Sequence, residues 1–169
     1  IFCQWSPLLS KIYAHQALTP DGWAYNLCVE ISNGRIGRIS NDKGGEHHSV
    51  DLLLPAPVNL HSHTFQRAMA GLTESRGPNA SDSFWTWRRL MYRFLDQLNP
   101  EQVQAIAELA FMEMLEAGYG AVAEFHYLHH DIDGAPYHNL AEMAERIMAA
   151  AQQTGIGLTL LPVLYMQGG

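Results

Sequence analysis

The sequence predicts an α/β fold in which a small antiparallel β-sheet leads into parallel strands that alternate with helices. Three observations carry this expectation. The first fifty residues alternate apolar and polar side chains and are broken by an Asn33-Gly34 turn. Short apolar runs then appear around Val58-Asn59-Leu60, at residues 121–125 and at residues 156–164. Between those runs lie amphipathic segments that open on helix-capping residues, as βαβ units require.

Residues 8–14 form the first expected strand and residues 25–31 the second, where apolar side chains recur at every other position. Ser32-Asn33-Gly34 is hairpin chemistry, because a tight turn needs residues that tolerate positive φ. Residues 35–39 alternate again, and residues 41–46 are a polar loop, beside which His47 and His48 are expected to face solvent. A sheet this small is expected to hold no core of its own.

The pattern changes after Val50. Leu52-Leu53-Leu54 and Val58-Asn59-Leu60 flank Pro55-Ala56-Pro57 and lead into His61-Ser62-His63. The run fits a strand buried on both faces, starting after Pro57 because proline cannot donate to a ladder. A long polar connection follows, and residues 84–95 then read as a helix capped by Asp82 or Ser83. The next helix is better marked. Asn99 is its N-cap, Pro100 sits at the first helical position and Glu101 favours the positive end of the dipole. Val103, Ile106, Ala107, Ala110 and Met114 line one face, and Gly118 ends it. A second strand covers residues 121–125, and a third helix begins at Asn139, with Glu142 completing a capping box, and stops at Gly155. The third strand covers residues 156–164. The expected division is residues 1–50, the strands of the small sheet, and residues 51–169, the first β/α units of a parallel sheet.

Three strands close nothing. A (β/α)₈ barrel takes about 250 residues, and the chain stops after a strand at Gln167-Gly168-Gly169. It is therefore expected to be a piece of a larger fold, and its start at Ile1 without Met agrees with trimming or an incompletely recorded beginning. The composition is globular, with 47% hydrophobic and 16% charged residues. A formal charge of -7 argues against a nucleic-acid partner. No apolar run reaches the roughly 18 residues of a membrane span, and the first residues lack the form of a signal peptide. Two cysteines, Cys3 and Cys28, make no disulfide framework, so the cytoplasm is the expected compartment.

The chemistry is expected at the histidines. Residues two apart on a strand point the same way, so His61 and His63 project together while Ser62 faces the opposite side. Two such imidazoles can reach one zinc ion at about 2.0–2.1 Å. The bland alternative is a pair of surface or core histidines. Catalytic zinc usually has three protein ligands plus water, and His126, His129 and His130 at the end of the second strand are candidates for a further ligand. His126 also reads as a supporting residue, and His129 and His130 as capping or hydrogen-bonding groups in a loop. Phe84-Trp85-Thr86-Trp87-Arg88-Arg89 is either a packing helix or a source of one arginine for a substrate carboxylate. Glu113 and Glu116 read as structural or solvated.

These residues carry a resemblance. Residues 60–72, around His61-Ser62-His63-Thr64-Phe65-Gln66-Arg67, resemble the first barrel strand and loop of the amidohydrolase superfamily. The segments Asp82-Ser83-Phe84-Trp85-Thr86-Trp87-Arg88, Glu124-Phe125-His126-Tyr127-Leu128-His129-His130-Asp131 and residues 155–165 look like its formimidoylglutamate deiminase family. The resemblance implies the N-terminal portion of a metal-dependent amidohydrolase (β/α)₈ TIM barrel, preceded by strands of a composite β-sandwich. It implies an enzyme of histidine degradation that binds one Zn²⁺ and converts N-formimidoyl-L-glutamate to N-formyl-L-glutamate and ammonia. His61 and His63 match two zinc ligands of the family. Gln66, Arg88 and Tyr127 match positions that contact its acidic small-molecule substrate. The remaining ligands and the proton-transfer residues are expected beyond Gly169, so the fragment alone is expected to be inactive. Related enzymes suggest a homodimer for the complete protein. One departure stands out: the family has Pro-Gly before the histidine pair where this chain has Pro55-Ala56-Pro57. Two alternatives stay open, another deaminase of the guanine or triazine type and a truncated, non-catalytic module.

Overall fold

A computed structural model of the chain describes residues 10–73 and 84–165. The chain divides into two units, Ile1–Pro55 and Ala56–Gly169.

In the first unit β1 (Ser10–Thr19), β2 (Gly22–Ser32), β3 (Arg35–Ser40) and β4 (His48–Leu53) lie in the order β3-β2-β1-β4. The β2–β3 hairpin turns on Asn33 and Gly34, with φ of 51° and 70°, the positive angles that this two-residue turn demands. Strand β1 runs to Thr19, past the expected end at Ala14, because Gln16 to Thr19 pair with Tyr25 to Gly22 of β2. Strand β4 corrects the sequence reading, which left His48 beside a loop and joined Leu52 and Leu53 to the following segment. It pairs parallel with β1 from Ile12↔His48 to Ala17↔Leu53, so the small sheet is mixed. Contrary to expectation the sheet has a small core of its own: Ala14, Ala17, Leu27 and Val29 are buried at its centre, with Ile31 and, from the added strand β4, Val50 and Leu53 packed against them.

The second unit is a parallel sheet of β5 (Val58–Ser62), β6 (Ala121–His126) and β7 (Gly157–Pro162), in that order. Helices α1 (Phe84–Leu95) and α2 (Pro100–Glu116) fall between β5 and β6, and α3 (Glu142–Thr154) between β6 and β7. A short 3₁₀ helix, Thr64–Met69, follows β5 directly. Strand β5 starts after Pro57, as expected, but it is not buried on both faces. Val58 and Leu60 are 51% and 77% exposed, because β5 is an edge strand with β6 as its one neighbour in this sheet. The entry to β5 passes close to the entry to β6. A Cβ built on Gly120 would stand 2.9 Å from Ala56 Cβ, and the Gly120 N–H donates to Pro57 O at 3.0 Å, so glycine is needed there.

Helix α2 begins as its sequence requires. Asn99 Oδ1 accepts from the Gln102 N–H at 2.9 Å, and Gln102 Oε1 accepts from the Asn99 N–H at 3.0 Å. This reciprocal cap satisfies two donors that have no partner within the helix. Replacing Asn99 with alanine is expected to cost about 1 kcal/mol, read as a lower denaturant midpoint at unchanged slope. Helix α3 departs from expectation at its start. Asn139 does not cap it: its Oδ1 accepts from the Ala141 N–H at 3.0 Å in a local turn, and the helix begins at Glu142. Short polar side chains offer the backbone such turns in competition with helix. Gly155, at φ 84°, stops the helix in the left-handed conformation that favours glycine. Val103, Ala107 and Phe111 of α2, Val122 of β6, and Met143, Ile147 and Ala150 of α3 make the buried core. The caps expected at Asp82 and Ser83 lie outside the described residues.

Candidate functional site

The site stands where β5 ends. Ser62 is buried and pairs with Glu124 of β6, while His61 and His63 lie on the opposite side. The two imidazoles meet edge to face, with Nε2 atoms 3.0 Å apart. His63 Nδ1 lies 2.9 Å from the carbonyl oxygen of Phe125. A carbonyl only accepts, so Nδ1 carries the hydrogen and Nε2 presents its lone pair to His61 Nε2. An ion with Zn–N bonds of about 2.0–2.1 Å can touch both nitrogens across that gap, so the donors present fit a metal ion. They supply part of a ligand set. Among the described residues no group of three or more His, Cys, Asp or Glu side chains could hold a metal.

Beside the pair stands an aromatic wall. The Tyr127 ring is 5.3 Å from His63, 5.4 Å from Phe65 and 5.4 Å from Tyr165. Gln66 and Tyr127 come together over α1, where the Gln66 amide lies 3.8 Å and the Tyr127 hydroxyl 3.6 Å from Met91 Sδ. Burial pushes the Tyr127 hydroxyl up to about 12, with a hydrogen bond from Gln66 opposing the shift, so it stays protonated and able to donate. Arg88 lies on α1, one turn before Met91. Its guanidinium sits 5.6 Å from the Trp85 ring centroid and 5.1 Å from that of Tyr92, and donates to the Tyr92 hydroxyl at 3.3 Å. The structure thus groups His61 with His63, and Gln66 with Tyr127.

The later histidines do not join the pair. Strand alternation puts His126 on the buried face with Val122 and Glu124, away from Phe125. Its ring stands edge-on to His129, 5.4 Å away, and His129 Nε2 bonds the Val163 carbonyl at 2.8 Å. His130 makes an isolated bridge with Pro136. Glu113, read as structural, forms a two-pronged ion pair with Arg67 at 2.6 and 2.7 Å that ties α2 to the 3₁₀ helix. That guanidinium holds the Glu113 carboxyl below its ordinary range. The sequence reading overlooked Glu124. It is 2% exposed, and its Oε1 accepts from the Thr64 N–H at 2.7 Å and from Thr64 Oγ1 at 2.8 Å. The signal was available, since an acid inside the run Ala121-Val122-Ala123-Glu124-Phe125 is a buried charge that needs a reason.

Comparison with known proteins identifies the family and the fold. The N-terminal domain of formimidoylglutamate deiminase HutF matches residues 9–47, and the amidohydrolase family matches residues 52–165. Formimidoylglutamate deiminase of Pseudomonas aeruginosa is 54% identical over 164 residues, covering 95% of this chain and 36% of that protein. An 8-oxoguanine deaminase of the same organism is 30% identical over 80 residues, 47% of this chain and 17% of that protein. Among solved structures, an amidohydrolase from Brucella melitensis superposes with a TM-score of 0.89 at 52% identity, over 95% of this chain and 36% of that one. Atrazine chlorohydrolase TrzN from Arthrobacter aurescens TC1, solved with zinc, shares the fold at 16% identity and a TM-score of 0.74, over 94% of this chain and 37% of that one. The chain therefore spans little more than a third of the length of the relatives it matches over nearly all of its own.

Proposed function

This chain belongs to the amidohydrolase family, and on that premise we propose that the complete protein is a zinc-dependent formimidoylglutamate deiminase. Water would add to the formimidoyl carbon of N-formimidoyl-L-glutamate. The bond from that carbon to its terminal nitrogen would break, leaving N-formyl-L-glutamate and ammonia. The observation that carries the reading is the His61–His63 pair, with the His63 ring held by the Phe125 carbonyl so that both Nε2 atoms converge.

In this reading His61 and His63 hold the metal, which when bound supplies Lewis acidity and a water of lowered pKa. The chain's other residues bind and orient the substrate. Arg88 offers a planar guanidinium to a substrate carboxylate, a pairing that suits a dicarboxylate. Gln66 and Tyr127 offer an amide and a neutral hydroxyl as hydrogen-bond donors. The position of Tyr127 beside His63, and of Gln66 beside Tyr127 over Met91, supports that role. The rings of Phe65 and Phe125 flank His63 at 6.4 and 5.2 Å and give that side of the pair an apolar lining. We place the enzyme in the cytoplasm, in histidine degradation, as a homodimer when complete. The small sheet, whose last strand β4 runs past residue 50 to Leu53, would belong to a small β-sandwich, and the unit from Ala56 onward would be the first β/α units of its barrel.

The test is ammonia release by the complete protein from N-formimidoyl-L-glutamate, guanine and an amino-triazine. Turnover is expected with the first alone. Faster turnover of guanine would replace this reading with that of a nucleobase deaminase, the class of the 8-oxoguanine deaminase relative. The 169-residue chain by itself is expected neither to retain zinc nor to release ammonia.

A further inference from the structure

We infer that Glu124 is a positioning residue for the metal-binding pair, clamping Thr64 so that the adjacent His63 keeps its ring directed at His61. The inference rests on the metal-dependent reading of the site and extends it to a residue on the far side of the sheet.

The backbone ladder between β5 and β6 ends at Ser62↔Glu124, after an irregularity in the register that begins at Asn59. Ladder pairing therefore does not hold residues 63 and 64, although the chemistry requires His63 to be fixed. Two consecutive residues of β6 supply what is missing. The Phe125 carbonyl takes the His63 Nδ1 hydrogen at 2.9 Å. The Glu124 carboxylate takes both hydrogens that Thr64 can offer, from the backbone N–H at 2.7 Å and from the hydroxyl at 2.8 Å. That N–H opens the 3₁₀ helix, where the backbone provides no acceptor, and the N-cap residue His63 makes no side-chain cap either.

Packing alone does not explain the group. A carboxylate at 2% exposure is costly unless its oxygens are used, yet Oε2 has no partner among the described residues. Oε1 spends its whole bonding capacity on one residue, the neighbour of a metal-binding histidine. The clamp holds the backbone at Thr64, hence the direction in which the His63 side chain leaves the chain, hence the 3.0 Å approach of the two Nε2 atoms. Without it the His63 ring can leave the Phe125 carbonyl, and the two nitrogens no longer converge.

The experiment compares Glu124→Ala, Glu124→Gln, Thr64→Val and Thr64→Ser in the complete protein, with Ile147→Ala in the core as a stability control. Zinc affinity is read by competition with a chelator, alongside kcat, KM and the thermal midpoint. Glu124→Ala is expected to weaken zinc binding by about 10–100-fold, the range for residues that orient metal ligands, and to lower kcat with KM nearly unchanged. Glu124→Gln keeps an oxygen that accepts both bonds and is expected to rescue most of the affinity. Thr64→Ser keeps both donors and behaves as wild type, whereas Thr64→Val loses one and falls between. Ile147→Ala lowers the thermal midpoint and leaves zinc affinity alone. Wild-type affinity in both Glu124→Ala and Thr64→Val would overturn the inference, as would an equal loss in Ile147→Ala. Should Glu124→Ala fail to fold, Thr64→Val decides it. A wild-type protein that binds no zinc would instead overturn the metal-dependent reading of the site.

Discussion

Replacing His63 with alanine in the complete protein is expected to remove bound zinc and to lower kcat/KM by roughly a thousandfold or more. A metal centre is worth several kcal/mol of charge stabilisation in the transition state, and each 1.36 kcal/mol is about tenfold in rate. His63 is the more sensitive of the pair because it is anchored. Its Nδ1 hydrogen is committed to Phe125 O at 2.9 Å, and its Nε2 faces His61 at 3.0 Å. Alanine would remove a proposed metal ligand and leave that carbonyl without the His63 hydrogen. His61→Ala is expected to lose zinc as well, with a smaller loss of stability, since the His61 side chain is exposed. Elemental analysis and ammonia release measure both effects. Stoichiometric zinc in His63→Ala, with a rate within tenfold of wild type, would rule out the assigned ligand role.

His126 is expected to make the fold acid-sensitive. Burial, reinforced by the nearby His129 charge, holds its imidazole down to about 4 from an ordinary 6.5, and a backbone hydrogen bond at Leu128 only partly opposes this. The folded protein therefore keeps His126 neutral while the unfolded chain takes up a proton more readily. The sign follows: the stabilisation is fully present above about pH 6.5 and is lost as pH falls through about 4. At 1.36 kcal/mol per unit the loss is on the order of 3 kcal/mol. That is a large share of a typical domain's margin of 5–15 kcal/mol. His126→Phe is expected to remove this part of the pH dependence, and it also removes a buried Nε2 that has no hydrogen-bond partner among the described residues. The measurement is the denaturation midpoint of both proteins between pH 7 and pH 4. Identical slopes would mean that another group controls acid unfolding.

Much of the fold was legible because its signals are local. The Asn33-Gly34 turn, the Asn99 cap and the Gly155 stop each depend on the conformational demands of one or two residues, and all three stand where the sequence puts them. Strand β4 was not legible, because its ladder partner is β1, some 36 residues earlier. Its leucines read equally well as the start of the next strand. Asn139 misled for a different reason. The same side chain that caps a helix also closes a turn, and here the turn at Ala141 takes its oxygen. The exposure of Val58 and Leu60 on β5 follows from the edge position of that strand and has no counterpart in the run of residues itself.

By itself, the sequence determined that His61 and His63 share one side of a strand end, since a period of two is a property of any extended chain. It also determined that this strand belongs to a parallel α/β arrangement, through capped helices placed between short apolar runs. Only the tertiary structure decided which nitrogen of His63 carries the hydrogen, which residues join Gln66 and Tyr127, and that Glu124 holds Thr64. The contacts of His63 and Thr64 link residues about 60 apart in the chain. They depend on the register between β5 and β6, and register across a crossover leaves no periodic trace in the residues that it brings together.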